Sequence, residues 1–119
     1  MKPSMLQLMP SLVLSAFVIG CLNPPPHADH GSTAELMIHY GCPACHVIPS
    51  VPGAVGKVGP SLQTLAQRSY LAGVLPNTPA NLEQWLMHPQ TFQPGVAMPE
   101  MGVSQEDARR IAVFLEGRR

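Results

Sequence analysis

At 119 residues the chain has room for one small domain, since a domain usually takes about 100–200 residues. Charged residues make up 12% of the chain, against roughly 25% in average usage. Seven Lys and Arg balance seven Asp and Glu, so a disordered acidic chain is excluded and no nucleic-acid partner is expected. Fourteen prolines predict much turn and loop, and few residues are aromatic. We therefore expect something other than side chains to fill part of the interior.

Residues 1–20 have the features of an export signal. Lys2 precedes a mainly apolar run that begins at Leu6, and Val18-Ile19-Gly20-Cys21 closes it. These four residues resemble the lipobox of bacterial lipoproteins, in which the cysteine is lipidated and becomes the first mature residue. An uncleaved membrane anchor is the less favoured interpretation, because the uninterrupted apolar stretch is shorter than the ~20 residues that span a bilayer. The expected location is the periplasmic side of a bacterial membrane, held by a lipid on Cys21, or the periplasm itself.

Residues 21–31 are interpreted as the anchor cysteine and a tether. Pro24-Pro25-Pro26 favours a semi-rigid polyproline II spacer. His27 and His30 could bind a metal, but exposed linker histidines are the commoner case. The folded domain is predicted over residues 32–119.

The first predicted helix begins at a capping box formed by Ser32 and Glu35 and runs to about Cys42. Ala34 and Ile38 lie on one face of this helix at i and i+4. We expect this face to pack against the last helix. Replacing Ile38 with Asp should then cost several kcal/mol, because it would bury an unpaired charge.

Three further helices are predicted, over residues 61–68, 78–88 and 104–117. The second of these has a threonine cap followed by proline, and the last has a serine cap, two acidic residues in its first turn and a glycine at its end. No alternating run predicts a strand. Two long loops, 47–60 and 90–103, lie between the helices, and loops of that length in a compact domain are usually functional.

The motif that decides the chemistry is Cys42-Pro43-Ala44-Cys45-His46. C-x-x-C-H is the attachment signature of c-type haem. Two thiols at i and i+3 on the last turn of a helix suit thioether bonds to the vinyl groups of one porphyrin. His46 is then placed to ligate the iron. The motif predicts one covalent haem c.

Other interpretations of the same residues remain open. A zinc site would need a further ligand from His27, His30, His39 or His88. A thioredoxin-like dithiol needs a βαβ setting that the sequence lacks, and a disulfide across two intervening residues is strained.

With that motif and three later landmarks in order, the chain resembles the class I c-type cytochromes over residues 32–119. Residues 59–68 look like the family's G-P-x-L-x-x-L-x-x-R, and residues 82–89 match its L-x-x-[YW]-[LI]-x-x-P helix. Residues 94–98 match the P-G-x-x-M loop, and a closing amphipathic helix ends the chain. The resemblance implies an all-α fold of about four short helices and long loops wrapped around one haem.

The resemblance also implies the iron ligands. Met98 would be the distal axial ligand opposite His46, and its thioether would stabilise ferrous iron. Met101, three residues later on the same loop, is its competitor. Pro60 would accept a hydrogen bond from Nδ1 of His46 through its carbonyl, and this contact fixes the orientation of the ring.

Three further residues are implied to contact the haem. Arg68 resembles the family's propionate partner, although a solvated arginine at a helix end would look the same. Tyr70 is a second candidate for a propionate. Trp85 occupies the position that faces the ring, and an ordinary core tryptophan would also fit there.

The function implied is outer-sphere transfer of one electron by iron that cycles between Fe(III) and Fe(II), not enzymatic catalysis. The loop 47–59 resembles that of small cytochromes encoded with bacterial terminal oxidases. Lys57 is the only lysine after the predicted signal, so partner recognition should be mainly apolar, over residues 44–52. The expected partners are a terminal oxidase, a cytochrome bc-type complex or a dehydrogenase. The alternatives are a haem enzyme or gas sensor with an open distal site, and an integral cytochrome c subunit of an oxidase or dehydrogenase.

Overall fold

The structure is a computed structural model that describes residues 31–117. The predicted signal peptide, the anchor at Cys21 and the tether as far as residue 30 lie outside the described residues. None of the helices within residues 31–117 is both long enough and apolar enough to cross a membrane.

The first helix, α1, spans Thr33–His39. The predicted capping box is confirmed, because Oγ of Ser32 accepts from N of Glu35 at 3.3 Å and Oε2 of Glu35 accepts from N of Ser32 at 2.7 Å. The helix ends earlier than predicted, since Gly41 adopts a left-handed φ of 78° that favours glycine. The chain then turns at once into α2, Cys42–Cys45. The two cysteines thus occupy a helical turn of their own and not the last turn of α1.

Helix α1 packs against the last helix, and of the two residues of the predicted face Ala34 packs against the core whereas Ile38 does not. Leu36 and Met37 are both 0% exposed, whereas Ile38 is 45% exposed. Tyr40, one turn after Met37, packs against the same core. The buried stripe therefore runs through 36, 37 and 40, and Ile38 lies about 100° beyond Met37 around the helix. The prediction for Ile38→Asp is wrong for this reason, because the carboxylate would remain in water.

Residues 61–68 do not form the predicted helix. They contain one 3₁₀ turn, Leu65–Gln67, with Leu65 buried. The carbonyl of Ser61, which a helix would bond to N of Leu65, accepts instead from Nη2 of Arg68 at 2.7 Å, and N of Leu65 donates to the carbonyl of Leu62 at 3.3 Å. Nδ2 of Asn77 fastens the end of the segment, since it donates to the carbonyls of Leu65 at 2.8 Å and Arg68 at 2.9 Å.

A short hairpin follows, which the sequence did not predict. Strand β1, Tyr70–Leu71, pairs antiparallel with β2, Leu75–Pro76. Strands of two residues are too short to produce an alternating pattern, which is why the sequence showed no strand here. An isolated bridge between Val47 and Val55 is a second extended pairing.

Helix α3 spans Pro79–Met87 and begins as predicted, with Oγ1 of Thr78 accepting from N of Asn81 at 3.2 Å. It ends before Pro89, which opens a short helix, α4, at Pro89–Phe92. The buried residues of α3 are the three apolar residues that the sequence predicts: Leu82, Trp85 and Leu86.

The last helix, α5, spans Gln105–Glu116, and its serine cap is confirmed because Oγ of Ser104 accepts from N of Asp107 at 3.2 Å. Tyr40 donates its hydroxyl to Oδ2 of Asp107 at 2.7 Å, which joins the end of α1 to the start of α5. Burial, followed by the hydrogen bond to Asp107, raises the pKa of Tyr40 above its usual value. Helix α5 packs against α1 and α3. Its buried stripe is the predicted one: Ala108, Ile111, Ala112 and Leu115.

Candidate cofactor site

A cavity of about 460 Å³ lies between α1, α2, α3, α5 and the two long loops. Its volume falls within the ~300–1,000 Å³ of typical cofactor and ligand sites, and its lining is mainly apolar. The chain has few aromatic residues, and its helices surround a space that their own side chains do not fill. Seven of the eight predicted cofactor residues line it: Cys42, Cys45, His46, Pro60, Arg68, Trp85 and Met98.

Tyr70 is the exception, and its contact with a propionate stays a prediction. Its side chain is 58% exposed and does not line the cavity. Neighbouring residues of a strand point to opposite faces, and Leu71 is the one that turns inward and lines the cavity. Tyr70 is directed to solvent as a result.

Helix α2 presents the two cysteines to the cavity. Cys42 is 7% exposed, Cys45 is partly buried, and both thiols are free. Burial raises the pKa of Cys42 to about 11. A redox-active dithiol needs the opposite, a thiolate with a lowered pKa. The thioredoxin-like interpretation is therefore disfavoured.

The His46 ring is held in one orientation. Its Nδ1 lies 2.7 Å from the carbonyl oxygen of Pro60, the contact that the family resemblance implies. A carbonyl only accepts, so Nδ1 is the donor, and Nε2 is the nitrogen that the neutral ring would offer to a metal. The hydrogen bond orients the ring.

Gly59 is a site residue that the sequence analysis did not single out. Its N donates to the carbonyl of Cys45 at 2.7 Å, which brings the loop back onto α2. A β-carbon at position 59 would lie 2.7 Å from Nδ1 and 2.9 Å from Nε2 of His46, closer than real contacts allow. Only glycine lets the backbone pass beside this ring. The signal for it was the glycine immediately before Pro60.

The segment 44–52, predicted as the partner surface, is only partly exposed. Ile48 and Val51 are 2% and 6% exposed and belong to the core. The most exposed apolar side chains of this loop come later, at Val55 and Val58, with 75% and 69% exposed. The prediction is therefore wrong for Ile48 and Val51, which stabilise the loop and cannot meet a partner.

Among residues 31–117, Arg68 is the one permanently charged residue that lines the cavity. Its guanidinium is partly buried and donates from Nη2 to the carbonyl of Ser61 at 2.7 Å. A guanidinium at the edge of an apolar cavity suits a bound group that carries a carboxylate. Trp85, 8% exposed, supplies an aromatic face to the same cavity.

Met98 and Met101 both line the cavity and both are half-buried. They lie on the loop between α4 and α5. The side chain of Gln90 holds this loop in place by hydrogen bonds. Nε2 of Gln90 donates to the carbonyls of Val96 and Met98, each at 2.8 Å, and its Oε1 accepts from N of Gly95 at 2.9 Å. No local pattern in the sequence pointed to this tie.

The zinc interpretation finds no ligand set in the part of the chain that the structure describes. Within residues 31–117 no three side chains of His, Cys, Asp or Glu come together as a metal site. His39 packs edge-on against Tyr40, with ring centroids 5.2 Å apart, and Nδ1 of His88 lies 3.8 Å from Glu100. The other two zinc candidates, His27 and His30, lie outside the described residues.

Comparison with known proteins finds a sequence similarity to a subunit of a respiratory enzyme. It is 33% identical over 75 residues to cytochrome c oxidase subunit 2 of Alkalihalophilus pseudofirmus, and the match covers 62% of this chain. The chain spans only 21% of that relative's length. No family model and no solved structure matches the chain. The chain is thus distantly similar to part of a terminal oxidase subunit.

Proposed function

We propose that the domain predicted over residues 32–119 is a monohaem cytochrome c domain that carries single electrons in a respiratory chain. The observation that carries this proposal is one cavity lined by both thiols and the imidazole of the C-x-x-C-H motif together with a methionine of the P-G-x-x-M loop. The cavity's volume, apolar lining and single guanidinium fit a flat apolar cofactor that bears carboxylates.

Each of these residues would have its own role in binding haem c. Cys42 and Cys45 would form the thioether bonds, and His46 and Met98 would bind the iron. Arg68 would pair with a propionate. When bound, the haem supplies an Fe(III)/Fe(II) couple that takes up and releases one electron.

The protein's own contribution is to keep the redox site rigid, dry and closed. The hydrogen bond from Nδ1 of His46 to the Pro60 carbonyl fixes the ring, and Gly59 leaves it room. Apolar side chains from α1, α3 and α5 exclude water. A rigid site with two protein ligands leaves no position for a substrate, which suits a carrier and not an enzyme.

The similarity to an oxidase subunit favours a terminal oxidase as the partner. We propose that the chain delivers electrons to, or within, such a complex, either as a subunit or as a carrier tethered through a lipid on Cys21. A cytochrome bc-type complex or a dehydrogenase would be the donor. Purification of a stoichiometric complex with a larger membrane protein supports the subunit form, whereas a monomeric carrier supports the tethered form.

Met98→Ala tests the assignment of the distal ligand, with Met101→Ala as the matched control. We expect Met98→Ala to open the sixth coordination position, so that the reduced protein binds CO and the oxidised spectrum changes. Met101→Ala should keep the wild-type spectrum, although it removes a methionine from the same cavity. An unchanged spectrum in Met98→Ala contradicts the assignment, and ready CO binding by the wild type supports a gas sensor or haem enzyme.

A further inference from the structure

We infer that Gln90 is a positioning residue that holds the Met98 loop closed and thereby sets how readily an external ligand can replace Met98. This inference rests on the proposed function, because it assumes that Met98 binds a haem iron. It adds a residue that neither the motif nor the comparison with known proteins identifies.

One residue, Gln90, holds the loop through hydrogen bonds of its side chain and its backbone. Both donors of the Gln90 amide are used on loop carbonyls, those of Val96 and Met98, and its oxygen is used on N of Gly95. The backbone N of Gln90 also donates to Oε1 of Glu100 at 3.1 Å. A single residue therefore contacts both ends of the segment 95–100, which carries Met98.

Backbone hydrogen bonds fix little of the loop's path. Residues 93–104 contain no helix or strand, and within the segment 93–103 the structure shows one backbone–backbone hydrogen bond, from N of Val96 to the carbonyl of Gln93 at 3.1 Å. Gln90, by contrast, lies on α4 directly after the buried Pro89. The side chain ties an irregular loop to a fixed helix.

The consequence concerns ligand exchange. A thioether is a weak iron ligand, so an external base can displace it whenever the loop opens. Open and closed loops are in equilibrium, and removal of three hydrogen bonds of ordinary net strength should raise the open population at least about tenfold. The apparent affinity for an external ligand rises by the same factor.

The test is a spectroscopic titration of the oxidised holoprotein with imidazole. Gln90→Glu is the main variant because glutamate has the same size and shape as glutamine. If Gln90 acted only through packing, this variant would leave the imidazole affinity unchanged. A carboxylate would face two carbonyl oxygens without donors, so we expect its imidazole affinity to rise at least about tenfold. Gln90→Leu, which removes all three hydrogen bonds, should show a similar rise. Gln84→Leu, on the exposed side of α3, is the control and should match the wild type.

Amide hydrogen exchange supplies a second readout. In both Gln90 variants we expect exchange at residues 95–98 to accelerate while α5 keeps its protection. Imidazole affinity within about twofold of wild type in a haem-bearing Gln90→Glu overturns the inference and leaves the proposed function intact. Loss of protection in α5 as well also overturns it, because the effect would then be general destabilisation. Protein without covalent haem overturns both.

Discussion

Replacing Gly59 with Ala is expected to displace the His46 ring and to lower the free energy of unfolding by about 1–3 kcal/mol, the usual cost of overpacking. The added methyl group would lie 2.7 Å from Nδ1 and 2.9 Å from Nε2, so the ring or the loop must move. The loop cannot move freely, because N of Gly59 is bonded to the carbonyl of Cys45 at 2.7 Å. The hydrogen bond from His46 to Pro60 should therefore be lost or lengthened.

Denaturant unfolding and the spectrum of the oxidised protein measure the effect of Gly59→Ala. Gly117→Ala is the matched control, since it adds the same methyl group at the C-cap of α5, where φ is −69° and the nearest atom is the Val113 carbonyl oxygen at 3.1 Å. It should change stability by less than about 1 kcal/mol and leave the spectrum unaltered. Equal behaviour of the two variants would show that Gly59 does not set the position of His46.

The second large effect is expected at Leu36. Leu36→Ala should lower the free energy of unfolding by about 2–5 kcal/mol, because the side chain is 0% exposed in α1, the helix that packs against α5, and its loss leaves a cavity. Leu36 does not line the cofactor cavity, so the effect reports helix packing and not cofactor contact.

Ile38→Ala is the control for Leu36→Ala, two positions along the same helix. Ile38 is 45% exposed, so its truncation should cost less than about 1 kcal/mol. Chemical denaturation of both variants with the cofactor bound gives the comparison. A larger loss at Ile38 than at Leu36 would mean that α1 packs through the other face.

The helix starts were predictable because caps are local. Ser32, Thr78 and Ser104 each accept a hydrogen bond from a backbone N three residues later, and such spacing is visible in the sequence. The buried face of α5 was equally predictable, since a helix of 12 residues gives four apolar positions to define the stripe. Helix α1 has only 7 residues, and the pair at 34 and 38 was too small a sample to fix its rotation.

The departures depend on tertiary contacts. In the 61–68 segment the carbonyl of Ser61 accepts from Nη2 of Arg68 while N of Leu65 donates to the carbonyl of Leu62, and the hairpin turns Tyr70 away from the cavity. The motif residues of the candidate site could be found because they occupy five consecutive positions, and their spacing indicates their chemistry. Gly59 begins the G-P landmark, but its need for a bare α-carbon beside His46, like the hydrogen bonds of Gln90, becomes visible only once distant segments meet.

We propose that Cys42 and Cys45 hold one covalent haem. The most direct measurement is the intact mass of the detergent-extracted protein under denaturing conditions, after expression with a haem-attachment system. The wild type is expected to carry the mass of one haem, and the double variant Cys42→Ser with Cys45→Ser to carry none. A wild-type mass without haem would contradict the claim and would direct attention to other chemistry at Cys42, Cys45 and His46.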